Sequence, residues 1–482
     1  MSTHPAPLPD GLIIVAKRDC PTCVLIQPVM SALAAGAEPC TILSQDDPSF
    51  PEGVAEVVDD RELETSYRLE IETVPTLIRI AAGREVDRAI GWERSEWREL
   101  AGVSDLGDGL PEYRPGCGSL SVAPGIAESL ALRFGDATLS ARRIEVAPLE
   151  DDIEACFDRG WSDGLPVVPP TQARVYRMLQ GTKRAPDENI GLIPPSLGEC
   201  TIEKVAINAV MAGCKPEYMP VVVAAVEAAL RDEFCMHGLL CTTWFAGPMV
   251  IVSGPMTRRI GMNSGMNALG QGNRANASIG RALQLIIRNV GGGRPGEIDR
   301  SALGHPGKYT FCFAETDDPH WDGLNVENGY EATQSTVTLF AADGVQGIMD
   351  QKSRNPESLA RSFAACLRNV GHPKIISACD AFLVISPEHA RVFHQAGWSK
   401  AQLKKVLHEN LLIQGHDLVI GAGGIAEGLP ASVRKKTLPK FRPTGINIAR
   451  AGGGAGMFSA LIGGWPASGE TGSTPVTQPI GE

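Results

Sequence analysis

The sequence predicts an α/β protein that is built from two folded parts. Its 482 residues exceed what one small core can hold and suffice for two or three domains. Apolar runs of strand length alternate with helix-periodic stretches along most of the chain, as in α/β domains. We therefore assign a first domain to residues 1–102, a Gly/Pro-rich connector to 103–147, and a large α/β domain, as one body or two lobes, to 148–482.

In the first domain, the apolar run 12–16 predicts a buried strand, and the stretch from Val24 to Ala35 predicts a helix. The residues Cys20-Pro21-Thr22-Cys23 lie at the turn between them. Further along, Thr73-Val74-Pro75-Thr76 leads into a second apolar run, 77–80. The connector contains Asp105 to Gly109 and Arg114 to Ser119, turn-rich sequence that neither a helix nor a strand favours.

In the large domain, apolar spacing predicts a helix around 202–210 that stops at Gly213, and further helices over 217–231 and 275–289. Serines predict the starts of two more helices, Ser386 before Pro387 and Ser399 in a capping box with Gln402. Buried strands are predicted at 249–252, 337–340, 382–385 and 418–420.

Composition excludes several classes of protein. The net charge of −12 argues against nucleic acid as the main partner. No apolar run reaches the length of a membrane span, and the first residues lack a secretory signal. Twelve cysteines without such a signal indicate free thiols in a reducing cytoplasm.

The two cysteines Cys20 and Cys23 suit thiol–disulfide exchange. The helix N-terminus stabilises the thiolate of Cys20, and only a thiolate is a nucleophile. Pro21 fits the first helical position because its missing N–H is not needed there. The other interpretation is a structural motif or half of a zinc site, although no second CxxC completes a four-cysteine set.

Residues 8–102 resemble thioredoxin-fold proteins in this CxxC motif and in the later Val74-Pro75. The resemblance implies that Cys20 attacks, that Cys23 resolves, and that Pro75 is a cis-proline facing the dithiol. Asp19 stands where the family has tryptophan, and Pro21-Thr22 replaces the usual Gly-Pro. The redox potential and the partner therefore do not carry over.

Cys117 lies between glycines in the predicted connector, where we expect it to be exposed and within reach of the dithiol. The hypothesis is a relay in which Cys117 passes electrons from Cys20 and Cys23 to the large domain. The alternative is an incidental surface thiol.

Two cysteines of the large domain are candidates for its catalytic thiol. Cys214 follows a predicted helix end beside Lys215, and Cys312 lies in a strand-like run near His305, a candidate base. The alternative is that both thiols are small buried hydrophobes.

Candidate substrate-binding residues in the large domain are Asn273 and Arg274, which precede a helix whose free N–H groups could hold a phosphate or carboxylate, and Lys308. No cofactor is identified. Cys235, His237 and Cys241 could hold a soft metal, but their spacing matches no standard site.

Several polar, glycine-rich segments lie between 150 and 480, among them Trp161 to Thr171 and Gly304 to Cys312. Together they resemble the poorly characterised bacterial family of UGSC-type selenoproteins, named for a selenocysteine-containing motif. The resemblance implies redox chemistry and little more, and Gly116-Cys117-Gly118-Ser119 only approximates the motif.

The sequence thus favours a cytoplasmic thiol-dependent oxidoreductase. Its dithiol exchanges electrons with a reactive cysteine of the connector or the large domain during conversion of a small-molecule substrate, and a cellular thiol reductant or redox protein is its partner. One alternative is a cysteine-dependent lyase or hydrolase acting on a carbon–sulfur or carbon–heteroatom bond. The other is a thiol or soft-metal carrier.

Overall fold

The buried run Gly11–Ala16 forms strand β1, the central strand of a five-stranded sheet. It pairs in parallel with β2 (Cys40–Ser44) and antiparallel with β5 (Thr76–Ala81). The remaining strands are β3 (Val57–Asp59), β4 (Thr73–Val74), β6 (Arg84–Ile90), β7 (Trp92–Glu93), β8 (Tyr113–Arg114) and β9 (Cys117–Gly118), and the helices are α1 (Pro21–Leu25), α2 (Gln27–Ala34), α3 (Glu64–Arg68), α4 (Arg94–Ala101) and α5 (Ile126–Phe134). The order in the sheet is β3-β2-β1-β5-β6.

This computed structural model describes residues 10–135, 139–147 and 149–481. The chain divides into two units, Met1–Thr138 and Leu139–Glu482. The division differs from the predicted boundaries, because residues 113–134 of the expected connector belong to the first unit. Strands β8 and β9 pair with β7 and β4, and α5 packs on α3. A Gly/Pro-rich composition thus marks tight turns here rather than a linker.

The helix expected over Val24 to Ala35 is broken at Ile26 into α1 and α2. Pro28 lies in the first turn of α2 and has no N–H to donate to the carbonyl one turn earlier. The continuous helix of the prediction is therefore wrong, although its extent is nearly right.

The second unit is built on a mixed sheet. Its strands are β10 (Asn189–Ile193), β11 (Gly198–Thr201), β12 (Gly247–Ser253), β13 (Cys312–Ala314), β14 (Thr336–Met349), β15 (Ala381–Ile385), β16 (Leu412–Gln414), β17 (Thr437–Pro439), β18 (Ile446–Arg450), β19 (Phe458–Gly464) and β20 (Val476–Pro479). The order in the mixed sheet is β13-β12-β14-β19-β15-β18, with β20 paired to β14. Two short antiparallel pairs, β10 with β11 and β16 with β17, lie outside this sheet.

The helices of the second unit form two apolar clusters against this sheet. The first cluster contains the three helices that begin at Ile202, Met219 and Arg274, and the second contains those that begin at Pro356, Pro387 and Lys400. The helices are α6 (Asp152–Asp158), α7 (Gln172–Leu179), α8 (Ile202–Ala212), α9 (Met219–Ala229), α10 (Met236–Cys241), α11 (Met256–Arg259), α12 (Arg274–Asn289), α13 (Leu324–Glu327), α14 (Pro356–Leu367), α15 (Pro387–Gln395), α16 (Lys400–Asn410) and α17 (Gly415–Leu418).

Most predicted elements of this unit are present. Helix α8 ends at Gly213, which has a φ of 84° and so needs the left-handed conformation that glycine tolerates. Ser399 caps α16 as expected, whereas the Ser386 side chain makes no cap hydrogen bond to α15. The predicted strand at 418–420 is wrong, because α17 ends at Leu418 and Val419 forms only an isolated bridge. A three-residue apolar run does not distinguish a strand from a buried turn.

Each unit is thus of mixed α/β construction, as the sequence predicts. In the part of the chain that is described, no helix combines the length and the apolar composition needed to cross a bilayer.

Candidate functional site

Three cysteine thiols meet in the first unit where β1 leads into α1. Cys20 occupies the N-cap position of α1, and its sulfur accepts the N–H of Cys23 at 3.4 Å. The same sulfur lies 3.5 Å from the carbonyl oxygen of Val74. The third thiol is that of Cys117, which donates a hydrogen bond to Cys20. The site therefore joins both residues of the CxxC motif to a cysteine that is remote in sequence.

Backbone pairing places Cys117 beside Cys20. In the antiparallel pair of β4 and β9, Cys117 is opposite Val74. Gly116 permits this close approach, because a Cβ there would lie 2.4 Å from Cγ2 of Thr73 and 2.7 Å from the Val74 oxygen. A side chain at Gly116 would thus force the Cys117 segment away from the dithiol.

Side-chain hydrogen bonds hold the same segment at both ends. The Thr22 hydroxyl donates to the Pro115 carbonyl at 2.7 Å, and Lys17 Nζ donates to the Gly118 carbonyl at 2.9 Å. Beyond Gly118, the buried Gln45 amide donates to the Ser119 hydroxyl at 2.7 Å and accepts the Leu120 N–H at 3.0 Å. Residues 115–120 therefore fold against the sheet, which corrects the expectation of an exposed connector thiol.

The electrostatics of the site favour one thiolate, at Cys20. The hydrogen bond from the Cys23 thiol, opposed by burial and aided by the Cys117 thiol and backbone N–H groups, lowers the pKa of Cys20 to about 5. Burial, and then the hydrogen bond to Cys20 and the negative charge on that sulfur, raise the pKa of Cys23 well above its usual range. Burial and the same neighbouring charge also raise the pKa of Cys117. At neutral pH the site thus holds a nucleophilic thiolate between two protonated thiols.

The three sulfurs differ in access. The Cys20 side chain is 1% exposed and that of Cys23 is 0% exposed, whereas Cys117 is only half-buried. Residues 115–118 therefore cover the thiolate, and Cys117 is the thiol that solvent reaches. Pro75 directly follows Val74, and the Val74–Pro75 peptide bond is cis.

The two candidate thiols of the second unit are buried in its core. Cys214 and Cys312 are close enough to each other that Cys214 raises the pKa of Cys312. Burial raises the pKa of Cys214 to about 12 and that of Cys312 further. We expected competing effects of Lys215 and the helix end at Cys214, but desolvation dominates. The expectation of a reactive thiolate at either position is therefore corrected: both are protonated core residues at neutral pH.

The ring of His305, the candidate base, makes contacts within its own turn and with a neighbouring aromatic ring. Its Nδ1 accepts the N–H of Gly307 at 3.2 Å, and its ring packs edge-on against Phe311. Burial, with the charge of Lys308, lowers the pKa of His305 to about 4. The ring is therefore neutral at physiological pH and fixes a turn.

The predicted substrate-binding residues make structural contacts. Asn273 caps α12 by accepting the Asn276 N–H, and Arg274 donates to the Gly213 carbonyl at 2.9 Å. Lys308 forms an ion pair with Asp299 at 2.7 Å and donates to the Ser301 hydroxyl at 2.6 Å. Their polar groups are thus engaged within the protein.

The metal-carrier alternative depends on Cys235, His237 and Cys241. Cys235 directly precedes α10, and the other two residues lie on that helix. Within residues 10–135, 139–147 and 149–481, no three or more His, Cys, Asp or Glu side chains are arranged to hold a metal ion. These three residues therefore do not form a common ligand set there.

Sequence reasoning missed the residues that position Cys117, namely Lys17, Thr22, Gln45 and Gly116. A polar residue such as Gln45 directly after a buried strand is a weak signal, since strand ends are often polar. Only the pairing of β4 with β9 explains why these positions matter together.

Comparisons with protein-family models, with curated proteins and with solved structures found no match for this chain.

Proposed function

We propose that the first unit is a thioredoxin-like thiol–disulfide exchange unit in which Cys20, Cys23 and Cys117 act in sequence. The observation that carries the proposal is the hydrogen-bonded group of three thiols with the thiolate at Cys20. The sheet supports the fold assignment, because β1 lies parallel to β2 and antiparallel to β5, and the CxxC motif begins directly after β1.

The solvent exposure of the three cysteines supports an order in which they react. An incoming disulfide R–S–S–R meets Cys117 first, because Cys20 and Cys23 are covered. The Cys117 proton moves along its hydrogen bond to Cys20, and the Cys117 thiolate attacks one sulfur of the disulfide. A Cys117–S–S–R bond forms while RS⁻ leaves and takes up a proton from water.

Two internal exchanges complete the reaction. The Cys20 sulfur loses its proton and attacks the Cys117 sulfur, which forms a Cys20–Cys117 disulfide and releases the second RS⁻ with that proton. Cys23 then attacks Cys20 and passes its own proton to the departing Cys117. The net result is that one disulfide is reduced to two thiols while Cys20 and Cys23 are oxidised to a disulfide, which a cellular thiol reductant returns to the dithiol.

The lyase or hydrolase alternative needs a thiol nucleophile in the second unit. Burial of Cys214 and Cys312 and their raised pKa values give no support for it. Conversion of a small-molecule substrate by the second unit, and a cytoplasmic location, stay predictions.

The test is a trapping experiment with Cys23→Ser in the full chain. Without the resolving thiol, oxidation by glutathione disulfide is expected to stop at a Cys20–Cys117 disulfide, which peptide mass spectrometry identifies. The wild-type chain is expected to yield Cys20–Cys23 instead.

The matched control is Cys23→Ser combined with Cys117→Ser, which is expected to leave Cys20 unlinked to any other residue of the chain. Capture of Cys20 by a cysteine other than Cys117 in the single variant would contradict the proposed order. Absence of any adduct at both cysteines would contradict thiol exchange altogether.

A further inference from the structure

A cavity of about 650 Å³ lies within the second unit. Its walls come from the beginning of that unit, residues 139–146, and from the helices α6, α7, α8 and α12. This volume falls in the range of pockets for small molecules, about 300–1,000 Å³. None of the candidate site residues described above lines it, and no residue of the thiol site takes part in it.

The segment that closes the cavity is fixed in place by a buried carboxylate. Glu203 of α8 is 2% exposed and accepts the backbone N–H and the hydroxyl of Ser140, both at 2.9 Å. It also accepts the Ala141 N–H at 3.1 Å. Residues 139–141 are thereby held against α8, and residues 142–144 and 146 continue the wall of the cavity.

The body of the cavity is apolar. Trp161, Ile207 and Met211 contribute to it, together with further apolar side chains such as Leu139, Ile144 and Val175. The ligand that such walls favour is a hydrophobic or aromatic group, because burial of its surface supplies the main binding free energy.

The charged residues of the lining favour an anionic group on that ligand. The cationic residues are Arg142, Arg143, Arg159 and Lys204, whereas Asp152 and Glu203 are the acidic ones. This excess of positive charge contrasts with the net charge of −12 for the chain.

Three of these charged groups have structural partners. The carboxylate of Glu203 accepts hydrogen bonds from Ser140 and Ala141. Arg159 pairs with Glu150 at 3.3 Å, and Lys204 Nζ donates to the Glu199 carbonyl at 2.6 Å. Over the described residues, the guanidinium groups of Arg142 and Arg143 have neither an ion pair nor a hydrogen bond. They are therefore free to bind a carboxylate or phosphate, with Asp152 the remaining acidic residue of the lining.

The polar, glycine-rich segment from Trp161 to Thr171 also forms part of the cavity wall. Both of its ends line the cavity, through Trp161 and through Pro169 to Thr171. Between them, Asp163 accepts two hydrogen bonds of 2.8 Å from Arg281 of α12. The segment is thus a fixed wall rather than a surface loop.

We propose that this cavity binds an organic anion whose apolar body packs against Trp161, Ile207 and Met211 and whose carboxylate, sulfonate or phosphate group lies beside Arg142 and Arg143. Two probes separate these contributions. The anion 8-anilinonaphthalene-1-sulfonate carries both parts, and N-phenyl-1-naphthylamine is the same aromatic body without the sulfonate.

The experiment measures binding of both probes to the full chain by fluorescence titration. The wild-type protein is expected to bind one equivalent of the sulfonate. The double variant Arg142→Gln/Arg143→Gln loses the arginine contacts and is expected to bind the sulfonate about tenfold or more weakly, which is the effect of one charged hydrogen bond. Its affinity for the neutral probe is expected to change by less than about twofold.

Two further variants complete the design. Ile207→Trp fills the cavity and is expected to weaken both probes, with circular dichroism used to verify folding. Arg391→Gln removes an exposed arginine that does not line the cavity and is expected to change neither affinity.

The outcomes separate the parts of the proposal. Equal sulfonate affinity in the wild type and the double arginine variant would overturn the anion site. Unchanged affinity of both probes in a folded Ile207→Trp variant, or no saturable binding by the wild type, would overturn the cavity as a binding site. Because no cysteine is altered, the result does not depend on the thiol-exchange proposal.

Discussion

The thiol of Cys117 donates a hydrogen bond to the sulfur of Cys20, and burial, followed by this hydrogen bond and the negative charge on Cys20, raises the pKa of Cys117. The pairing of β4 with β9 holds the two residues together. One of the two thiols is therefore ionised at neutral pH, and the proton between them can move without a rearrangement of the backbone.

The first prediction concerns the thiolate of Cys20. Its absorbance near 240 nm in the reduced protein, taken as the difference from Cys20→Ser, is expected to disappear as the pH falls through about 5. Cys23→Ala removes the largest stabilising hydrogen bond and is expected to raise this midpoint by about 1–2 pH units. Cys117→Ala removes a weaker contribution and is expected to raise it less.

Both variants are expected to raise the midpoint pH of Cys20, and neither is expected to lower it. A thiolate that is stabilised by hydrogen bonds must become a weaker base when the bonds form, so every loss of a donor raises the midpoint. A wild-type midpoint near 8 to 9, the value of an unperturbed thiol, would contradict the electrostatic account of the site.

The second prediction concerns Gly116. A Cβ at this position would contact Thr73 and the Val74 carbonyl oxygen at distances shorter than van der Waals contact. Gly116→Ala is therefore expected to displace residues 115–118, to destabilise the first unit by about 1–3 kcal/mol, and to increase alkylation of Cys20 by iodoacetamide. Peptide mass spectrometry at timed intervals measures the modification.

Gly118→Ala is the matched control for Gly116→Ala. It lies in the same strand, β9, and an added Cβ there meets no atom within 4 Å. We expect its Cys20 alkylation rate to equal that of the wild type. Equal rates in both variants would mean that residues 115–118 do not shield the thiolate.

The third prediction concerns the buried thiols of the second unit. Because Cys214 and Cys312 are protonated core residues, Cys214→Ala and Cys312→Ala are each expected to destabilise the fold by about 1–2 kcal/mol. The single-turnover reduction of bis(2-hydroxyethyl) disulfide by the reduced protein is expected to stay within about twofold of the wild-type rate. Loss of this reaction in a variant that still folds would mean that the substituted thiol takes part in disulfide reduction.

The local parts of the thiol site could be predicted from sequence, and its long-range part could not. The motif Cys20-Pro21-Thr22-Cys23 between a buried strand and a helix identifies the dithiol by local spacing alone. The glycine neighbours of Cys117 point to this residue, but the surrounding composition predicts an exposed connector. Its position depends on the pairing of β4 with β9 and on Gln45, and neither a two-residue strand nor one buried amide produces a recognisable pattern.

The same distinction applies to the second unit. Strongly periodic helices such as α8 and α12 were predicted to within a few residues, because one apolar face specifies them. The cavity could not be foreseen, since its walls come from segments that are far apart in sequence. Conversely, Asn273 and Arg274 look like ligand-binding residues because caps and anion sites use the same residue types.

The last prediction concerns the wall of the cavity. Asp163 and Arg281 form a two-bond ion pair in which their side chains are 12% and 14% exposed. Asp163→Asn leaves the guanidinium of Arg281 charged and partly buried, although the carbonyls of Leu165 and Pro166 still accept hydrogen bonds from it. We therefore expect a loss of about 1–3 kcal/mol in the stability of the second unit, measured by urea unfolding. The control is Glu409→Gln, which removes an exposed pair with Lys405 and is expected to cost less than about 0.5 kcal/mol. Equal stability of the two variants would mean that the ion pair does not hold the segment from Trp161 to Thr171 against α12.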